Sequence, residues 1–501
     1  MPDAATAWRP VMRATAPTSN PDRCARSALR RRSAAAAVIG AAAITALMLA
    51  TTLPARAQTL TQALAEAYNT NPQLLAQRAL LRATDEQVPQ ALSGWRPTVN
   101  FTGELGGARS SFFTPATVAT GVPVLPHTTG YDTFYQNSLG LQVTQPIYSG
   151  GRTIAQTRQA LNTVEATRAQ TLAIETSVFQ AVAQAYLDVV RDQALVEVDR
   201  NNVEVLSKQL EATQDRFRVG EVTRTDVAQA ESSLAQAQGT LTAAEGTLAQ
   251  SRAEYVRAVG HDPGRLLLPR DRPTLPATRE EAQALAADDN YSVISANFAE
   301  LASRDNVSAV RDQLLPQISL IGNLTRLVAP SITLSGSREE EAAITAQMTM
   351  PLYEAGSIYS QTRQAEQTVG QRRSQVDDAR RGAVQTATDA WETLKAARAS
   401  IASFSAAVRA AQIALVGIQQ EALVGTATTL DVLVQNQQLL TTQEQLIVSE
   451  HDAALAEFNL AAAIGRLVAP ELHLPVQLYD MDRHFREVKD KWAGFGGGLK
   501  E

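Results

Sequence analysis

The sequence predicts a mainly α-helical chain with a smaller β portion suited to a membrane, built from one strand–long-helix–hairpin unit that occurs twice. First, residues 218–227 (RVGEVTRTDV) return as residues 423–432 (LVGTATTLDV), 205 positions later. Second, two stretches of more than sixty residues contain almost no Pro or Gly. Third, four short segments carry apolar residues on every second position. A repeat this long indicates a duplicated structural unit rather than a solenoid array.

The duplication extends well beyond the glycine turns. The segment 142–148 (QVTQPIY) is answered by 347–353 (QMTMPLY), and 156–160 recurs letter for letter as 361–365, always at the same offset. An unbroken offset means two homologous halves without net insertion between these landmarks. We therefore expect a first repeat over 58–265, a second over 266–475 and a flexible C-terminal tail over 476–501.

Residues 1–57 are typical of a signal peptide. An Arg-rich region precedes an apolar run from about Ala34 to Ala50, and Ala55-Arg56-Ala57 fits a small-x-small cleavage pattern before Gln58. An N-terminal membrane anchor is the alternative, and Met12 is an alternative start. Beyond this segment we expect no apolar run long enough to span a bilayer as a helix, so insertion would be by β-strands.

Composition excludes several classes of function. Without residues 1–57, which hold eight Arg and two Asp, 37 basic and 49 acidic residues remain, a net charge of −12. A chain this acidic has no electrostatic footprint for nucleic acid. The single cysteine, Cys24, lies in the N-terminal segment, which excludes disulfides and thiolate metal sites from the processed chain.

Each repeat begins with a helix and continues into a pair of strands. Residues 59–93 have helical spacing with a break at Asn71-Pro72, and Pro97 opens the alternating pattern. Each alternating segment is about ten residues long, the length of a tilted membrane strand. One such segment would also fit a half-buried strand of a soluble sheet, but four of them, paired across a duplication, favour a membrane sheet. The apolar positions are Val99, Phe101, Leu105, Leu139, Leu141, Val143, Ile318, Leu320, Leu324, Ile344, Ala346, Met348 and Met350.

Two polar loops are expected between the strands, over about 106–137 and 326–341, the second ending in Glu339-Glu340-Glu341. The first loop is rich in aromatic residues, which would lie either in an interfacial girdle or in a small cluster within the loop. These residues are Phe112, Phe113, Tyr131, Phe134 and Tyr135.

Long helices are predicted from about Thr153 to Phe217 and from about Ser357 to Val424. Each would be about 100 Å long, and each is followed after a Val-Gly turn by a return helix, over 224–259 and 429–464, of roughly 55 Å. The repeat therefore describes an antiparallel helical hairpin with its turn at one end and a β-hairpin at the other.

Four membrane strands cannot close a barrel, and an open edge in lipid leaves backbone groups unsatisfied. Closure therefore requires several copies of the chain. Two copies would give eight strands around a filled interior, whereas three would give twelve strands and space for a pore. The physical argument prefers three copies only if the interior conducts.

At this point the sequence resembles the TolC family of outer-membrane channel proteins. The resemblance is carried by the paired Val-Gly-x-x-x-x-x-Asp-Val turns at 219–227 and 424–432, by the paired Gln-x-Thr-x-Pro segments, and by the glycines that begin the long helices. It covers roughly 59–475. It implies a trimer with a twelve-stranded outer-membrane β-barrel continued by a periplasmic α-helical barrel, in the outer membrane of a Gram-negative bacterium.

The resemblance also implies partners and sites. The tunnel tip would dock a periplasmic adaptor and an inner-membrane ABC or proton-driven transporter. Four residues would then be adaptor-facing tip residues: Val219, Gly220, Val424 and Gly425. The junctions between barrel and helices would lie at Pro146, Gly151, Pro351 and Gly356.

Asp226 and Asp431 begin the return helices, where an Asp is a routine helix cap. The resemblance would also place them near the aperture, and both roles stay open. Gating residues of the best-known family member correspond to Ala422, Ala427 and Val434 here, so the same polar latch is not expected. Arg224 or Arg216 of the first repeat, acting against Asp431, is the alternative closure.

No catalytic constellation, cofactor fingerprint or metal-ligand spacing occurs in the sequence, and all five histidines are expected to be solvated. We therefore expect no enzyme and no cofactor. The favoured function is an outer-membrane exit duct of a tripartite export system, carrying secreted proteins or small molecules. The alternative is a non-conducting structural coiled-coil protein of the cell envelope, and an exported enzyme is the weakest reading.

Overall fold

A computed structural model describes residues 58–114, 128–269, 272–328 and 337–495. The predicted signal peptide, His127 and the last six residues lie outside these ranges. The described residues are mainly α-helical, as predicted. In chain order the elements are α1 (Leu60–Thr70), α2 (Pro72–Asp85), α3 (Gln87–Leu92), β1 (Thr98–Thr114), β2 (Thr128–Ser149), α4 (Arg152–Arg218), α5 (Arg224–Val259), α6 (Arg279–Asp289), α7 (Tyr291–Arg311), β3 (Gln317–Val328), β4 (Arg338–Thr349), α8 (Ser357–Leu423), α9 (Thr429–Ala463) and α10 (Met481–Val488).

The long helices follow the predicted bounds closely. Helices α4 and α8 each have 67 residues, and both ends of α8 lie 205 positions after the ends of α4. At about 1.5 Å per residue each is about 100 Å long. The return helices α5 and α9 pack along them as antiparallel partners. The sequence periodicity therefore determined these elements to within two residues.

In both repeats an asparagine side chain caps a helix that precedes the strands and also bonds it to the return helix. Asn71 caps α2 and Asn290 caps α7 through their side-chain oxygens. The amide nitrogen of Asn71 donates to the Ala258 carbonyl (3.1 Å), and that of Asn290 donates to the Ala463 carbonyl (2.9 Å). Ala258 and Ala463 lie at equivalent positions in the last turns of the two return helices, so each hairpin is tied to its own pre-strand helices.

The main core lies where α1, α2, α4, α5 and α9 meet, well away from the hairpin turns. Its largest fully buried side chains include Phe179, Tyr186 and Tyr255. A second core joins α6, α8 and α9 and consists largely of alanines, among them Ala387 and Ala282. Small side chains allow helix axes to approach closely, which explains the alanine-rich composition.

The four strands form one antiparallel sheet in the order β1-β2-β3-β4. Pairing of β2 with β3 joins the two repeats. The strands are longer than predicted: β1 has 17 residues and β2 has 22. The loop expected over 106–137 was therefore wrong, since its aromatic residues lie in β1 and β2. The loop expected over 326–341 was likewise too long, because Glu339-Glu340-Glu341 belong to β4.

The C-terminal segment also differs from the flexible tail expected over 476–501. Residues 481–488 form α10, whose N-terminus is capped by Asp480 and whose Val488 is buried. Phe485 packs against the small cluster of Val88, Ala160 and Val164. This segment is therefore held against the helices of the first repeat.

The expectation that no helix beyond the N-terminal segment could cross a membrane was too strict. Helix α8 contains a long apolar stretch with few charged residues, most of which is exposed in the single chain. By length and composition it passes as a membrane span. Its equivalence to α4 across the repeat nevertheless makes it one arm of the second hairpin.

Two neighbouring tyrosines in the main core provide a test of its hydrogen bonding. The Tyr186 hydroxyl lies 2.7 Å from the Leu267 carbonyl and 2.9 Å from the Gln58 carbonyl, whereas the buried Tyr255 hydroxyl has no partner among the described residues. Replacing Tyr186 by Phe should lower the free energy of unfolding by about 1–3 kcal/mol, because two hydrogen bonds from the buried Tyr186 ring to partly buried carbonyls are lost. Tyr255→Phe should be neutral or stabilising. Urea-unfolding midpoints followed by circular dichroism measure both, and equal shifts would contradict this account.

Candidate functional site

The sheet has one apolar and one polar face. Register aligns Phe101 with Leu141, and Leu141 with Leu324, so apolar side chains form continuous rows across neighbouring strands. Many are exposed in the single chain, for example Leu105 at 84% and Ile344 at 81%. The opposite face carries polar side chains such as Asn100, which pairs with Gln142. A sheet with this division can separate lipid from water.

Both outer edges of the sheet lack a partner strand within the described residues. β1 pairs with β2 alone and β4 with β3 alone. A long edge strand presents a row of unpaired N–H and C=O groups, and in hydrocarbon each unsatisfied group costs several kcal/mol. The single chain is therefore incomplete as a membrane element.

The predicted junction residues all lie where strands give way to long helices. In the first repeat the β2–β3 register shifts between Pro146 and Tyr148. Gly151 then caps α4 with φ 93°. In the second repeat Pro351 follows β4, and Gly356 caps α8 with φ 81°. Left-handed backbone at both caps favours glycine, because a Cβ would be strained there.

The predicted tip residues lie in the two turns between the long and return helices. Val219 is 72% exposed and Val424 is 76% exposed. Gly220 and Gly425 follow with φ of 87° and 83°. Each turn closes by a matching backbone bond, from Glu221 N to Arg216 O (2.9 Å) in the first and from Thr426 N to Glu421 O (3.0 Å) in the second. The tips thus present exposed valine side chains on turns closed by backbone hydrogen bonds.

Asp226 and Asp431 both cap the return helices. In each capping box the Thr at N-cap accepts from the Asp N–H, and the Asp carboxylate accepts from the Thr N–H at 2.8 Å. Hydrogen bonds from the hydroxyl and N–H of Thr223 lower the pKa of Asp226, and those of Thr428 lower the pKa of Asp431. Asp431 is exposed and Asp226 partly exposed, so the capping role does not remove either carboxylate from solvent.

The charged side chains of the two tips differ. In the first tip Arg216 pairs with Glu221 (3.2 Å) and Arg218 pairs with Asp215. The second tip is apolar around its turn, with Leu423 and Val434 exposed. Within one chain the contacts of Asp431 are with Thr428 rather than with Arg216. The suggested closure of Arg216 or Arg224 against Asp431 therefore stays a hypothesis about neighbouring copies.

The sequence analysis did not predict a line of polar contacts between α4 and α9, which we call the polar seam. It is defined by Gln180, Asp188 and Asn202 of α4 and their partners in α9. Gln180 bonds Asn459 (2.8 Å), and Asn202 bonds Asn436 (2.8 Å). Between them His451 lies 3.0 Å from Asp188. These pairs join the two hairpins along their length. The sequence signal was weak, because each polar residue alone resembles a solvated helix face.

His451 corrects the expectation that all five histidines are solvated. It is only 6% exposed and contacts the carboxylates of Asp188 and Asp452 at 3.0 and 2.9 Å. Burial opposes the charged imidazolium, but the two carboxylates outweigh it and raise the pKa of His451. Arg191 pairs with Asp188 and Asp192 beside it. The other described histidines, His261, His473 and His484, are exposed or partly exposed. No group of three or more His, Cys, Asp or Glu is placed to hold a metal ion in the part of the chain that the structure describes.

Comparison with known sequences gives a consistent set of relatives. The family profile described as Outer membrane efflux protein matches residues 63–261 and 283–466. The chain is 34% identical over 458 residues to the outer membrane efflux protein BepC of Brucella suis, covering 91% of this chain and 96% of BepC. It is 26% identical over 421 residues to the outer membrane protein TolC of Vibrio cholerae, covering 81% and 91% of the two chains. It is 27% identical over 354 residues to the alkaline protease secretion protein AprF of Pseudomonas aeruginosa, covering 69% and 72%.

Among solved structures, the outer membrane channel CmeC of Campylobacter jejuni superimposes with a TM-score of 0.71 at 16% identity. The match covers 86% of this chain and 89% of that chain. At this identity the likeness shows the shared fold alone.

The raised pKa of His451 predicts a pH dependence of the contact between the hairpins. A His whose folded pKa lies above its unfolded value of about 6.5 contributes stability that is fully present below pH 6.5 and is lost as the pH rises through the folded pKa. The urea-unfolding midpoint of the wild-type protein should therefore be higher than that of His451→Gln. This difference between the two midpoints should be largest at low pH and should become smaller as the pH rises. His473→Gln, at an exposed position, is the control. A gap that stays constant between pH 5.5 and 8.5, or widens, would contradict the assignment.

Proposed function

This chain belongs to the outer membrane efflux protein family, and on that premise we propose that it is the outer-membrane exit duct of a tripartite export system. The resemblance found in the sequence is thereby confirmed. Members of the family are channel proteins rather than enzymes. The chain is an outer-membrane protein of a Gram-negative bacterium, and the question is how its sheet and hairpins make a duct.

The observation that carries the proposal is the four-stranded sheet with an apolar face and two unpaired edges. Because such edges are not tolerated in lipid, β1 of one copy must pair with β4 of another. Three copies give a twelve-stranded barrel wide enough for a passage, with the apolar face toward lipid and the polar face toward water. We propose this homotrimer as the functional form.

In the trimer the long hairpins of α4–α5 and α8–α9 would continue the barrel as a helical tube. At about 100 Å, α4 and α8 are long enough to cross much of a periplasm. The tips around Val219, Gly220, Val424 and Gly425 would dock a periplasmic adaptor, which links them to an inner-membrane ABC or proton-driven transporter. The transporter would supply the energy, since the duct itself carries no catalytic site in our interpretation.

Two kinds of cargo remain open. BepC is named as an efflux protein and AprF as a protease secretion protein. The duct wall does not distinguish between these two classes. A non-conducting coiled-coil protein of the envelope is the alternative. A protein of that kind would not need a four-stranded sheet with one apolar face, so the alternative leaves this sheet unexplained.

The partners can be identified by cross-linking in living cells. A photoreactive amino acid placed at Glu221 or Thr426 should capture an adaptor and, through it, an inner-membrane transporter. Glu197 is a matched control, because it is exposed yet about 33 Å along α4 from the turn. An ATP-driven partner would indicate protein secretion and a proton-driven partner efflux of small molecules. Capture of no envelope transporter at either tip position would count against the duct.

Charge removal at Asp431 separates its capping role from a role at the aperture. Asp431→Asn keeps an oxygen that can accept from the Thr428 N–H but removes the charge, whereas Thr428→Ala weakens the cap and keeps the charge. If Asp431 lines the aperture, Asp431→Asn should change single-channel cation selectivity by about twofold or more at low salt. The effect should fade at 1 M salt, where the Debye length is about 3 Å. Asp431→Arg should change conductance further. Unchanged selectivity in Asp431→Asn, with Thr428→Ala altering the channel, would leave the residue as a cap only.

A further inference from the structure

The C-terminal segment runs from the middle of the helical region toward the sheet. Tyr479 N donates to the Tyr68 hydroxyl (2.9 Å) near the start of the first repeat. Further along, His484 lies 3.1 Å from the fully buried Asp85 at the end of α2. Finally, Arg96, which lies two residues before the start of β1, donates from Nη1 to the Lys491 carbonyl (2.6 Å). Residues 479–491 therefore climb beside α2 and α3 to the base of the strands.

This path is fixed by charged and aromatic contacts. Arg168 of α4 pairs with Asp482 (2.6 Å), and its guanidinium lies 5.4 Å from the Phe485 ring centroid. Farther down, the Arg78 guanidinium lies 4.2 Å from the ring of Tyr68 and 5.0 Å from that of Tyr479. These contacts hold the segment against the helices, so that its end lies at the base of the strands.

At that place the segment exposes large aromatic side chains. Trp492 is 70% exposed, and its ring centroid lies 5.2 Å from the Arg96 guanidinium. Phe495 is fully exposed. Large exposed apolar side chains this close together often mark an interaction surface.

Other aromatic residues lie at the same level of the sheet. The Trp95 carbonyl accepts from Gln145 Nε2 of β2 (2.9 Å), and Tyr148 lies at the end of that strand, 43% exposed. Tyr353, equivalent to Tyr148 in the second repeat, is 79% exposed. Tyr and Trp concentrate at the two interfaces of membrane barrels, and these residues lie at the helix-side end of the strands, where one such interface would fall.

The spacing along β1 agrees with a second aromatic level one bilayer away. Exposed Tyr135 pairs with Gly107, ten residues beyond Pro97. In a strand tilted by about 45°, ten residues rise roughly 24 Å, close to the ~25 Å height of the apolar band of a membrane barrel. The apolar side chains of β1, Val99, Phe101 and Leu105, lie between the two levels.

The charge around the aromatic segment is positive. Arg96, Lys489 and Lys491 lie on or beside it, opposed by Asp490, whose carboxylate is 4.0 Å from Lys489. Clusters of this kind next to a membrane surface attract anionic lipid headgroups. Aromatic rings and cations are therefore combined at the level where lipid headgroups would lie.

We propose that residues 489–495 form a membrane-interface anchor that binds anionic phospholipids of the periplasm-facing leaflet. Trp492 lies at the boundary of headgroups and acyl chains, while Arg96 and the two lysines contact phosphates. The proposal rests on the membrane position of the sheet given under Proposed function. It adds that the chain terminus, and not the barrel alone, holds the duct at a fixed depth.

A second copy of the chain is the competing occupant of this surface. Lipid is favoured because cations stand beside the exposed aromatic rings at the end of the strands where the long helices begin. A protein interface of this kind would instead deplete lysine.

The test uses the full chain reconstituted in vesicles of mixed phosphatidylethanolamine and phosphatidylglycerol. In a Cys24→Ser background, single cysteines at Ala493, Leu105 and Glu197 carry an environment-sensitive fluorophore. Nitroxides on lipids, placed near the headgroup or near the end of the acyl chain, then report depth. We expect the label at 493 to be quenched mainly by the shallow nitroxide, the label at 105 by the deep one and the label at 197 by neither.

The outcomes separate this proposal from the one on which it rests. If neither 105 nor 493 is quenched, the membrane position of the sheet is wrong. If 105 is quenched and 493 is not, the anchor alone is overturned. Quenching at 493 by a nitroxide on a neighbouring copy, but not by one on lipid, would also overturn the anchor and identify a second copy as the occupant.

A double variant tests whether the two lysines contribute to the binding of anionic lipid. Lys489→Gln with Lys491→Gln should reduce the preference of the segment for anionic over zwitterionic lipid by roughly fivefold per lysine at low salt. The preference is measured as a ratio of quenching of the fluorophore at position 493. The numerator is quenching by phosphatidylglycerol with a nitroxide near its headgroup, and the denominator is quenching by phosphatidylethanolamine labelled in the same way. Arg483→Gln, an exposed change on α10 away from the strand base, should leave it unchanged. Equal preference in wild type and the double variant would overturn the assignment of anionic lipid.

Discussion

The requirement that every backbone group in a membrane be hydrogen-bonded governs this protein more than any single contact. One chain supplies four paired strands and two outer edges, which no arrangement of its own described residues completes. Because an open edge is prohibitively costly in hydrocarbon, the chain is specified as a part of a larger ring. The same constraint explains the exposed apolar rows on one face and the polar rows on the other, since a ring has an outside in lipid and an inside in water.

The helical region solves a different problem, namely how to hold two very long hairpins in register. The pre-strand helices are tied to the return helices by Asn71 and Asn290, and the strands enter the long helices through left-handed glycines. Between the hairpins, however, the contact carries buried polar pairs such as Asp188 with His451. Buried polar pairs stabilise less than apolar packing but restrict which alignments are acceptable. The seam therefore favours one register at a modest cost in stability.

Function follows from this division of labour. The described residues form a sheet and two long hairpins, and the family to which the chain belongs consists of channel proteins rather than enzymes. Relatives named for efflux and for protease secretion match most of the sequence, which is consistent with a duct whose cargo is chosen by its partners. The C-terminal segment adds a further element, because it carries exposed aromatic and basic side chains to the base of the strands. Depth in the membrane would then be set at the chain terminus as well as in the barrel.

The sequence by itself determined the elements whose signals are local. The helical periodicity, the Asp residues at the starts of the return helices and the 205-residue offset located α4, α5, α8 and α9 to within two residues. The tertiary structure alone decided the rest. Gly106-Gly107 and the polar residues around them resemble a loop, yet they continue β1, because a ladder of backbone bonds accepts almost any side chain. His451 is buried and lies 3.0 Å from Asp188, which is distant in the chain, so the sequence near His451 does not reveal this contact. Helix α10 is too short to be stable alone, and it forms where the surface of α2–α4 offers Asp85 and Arg168 as partners.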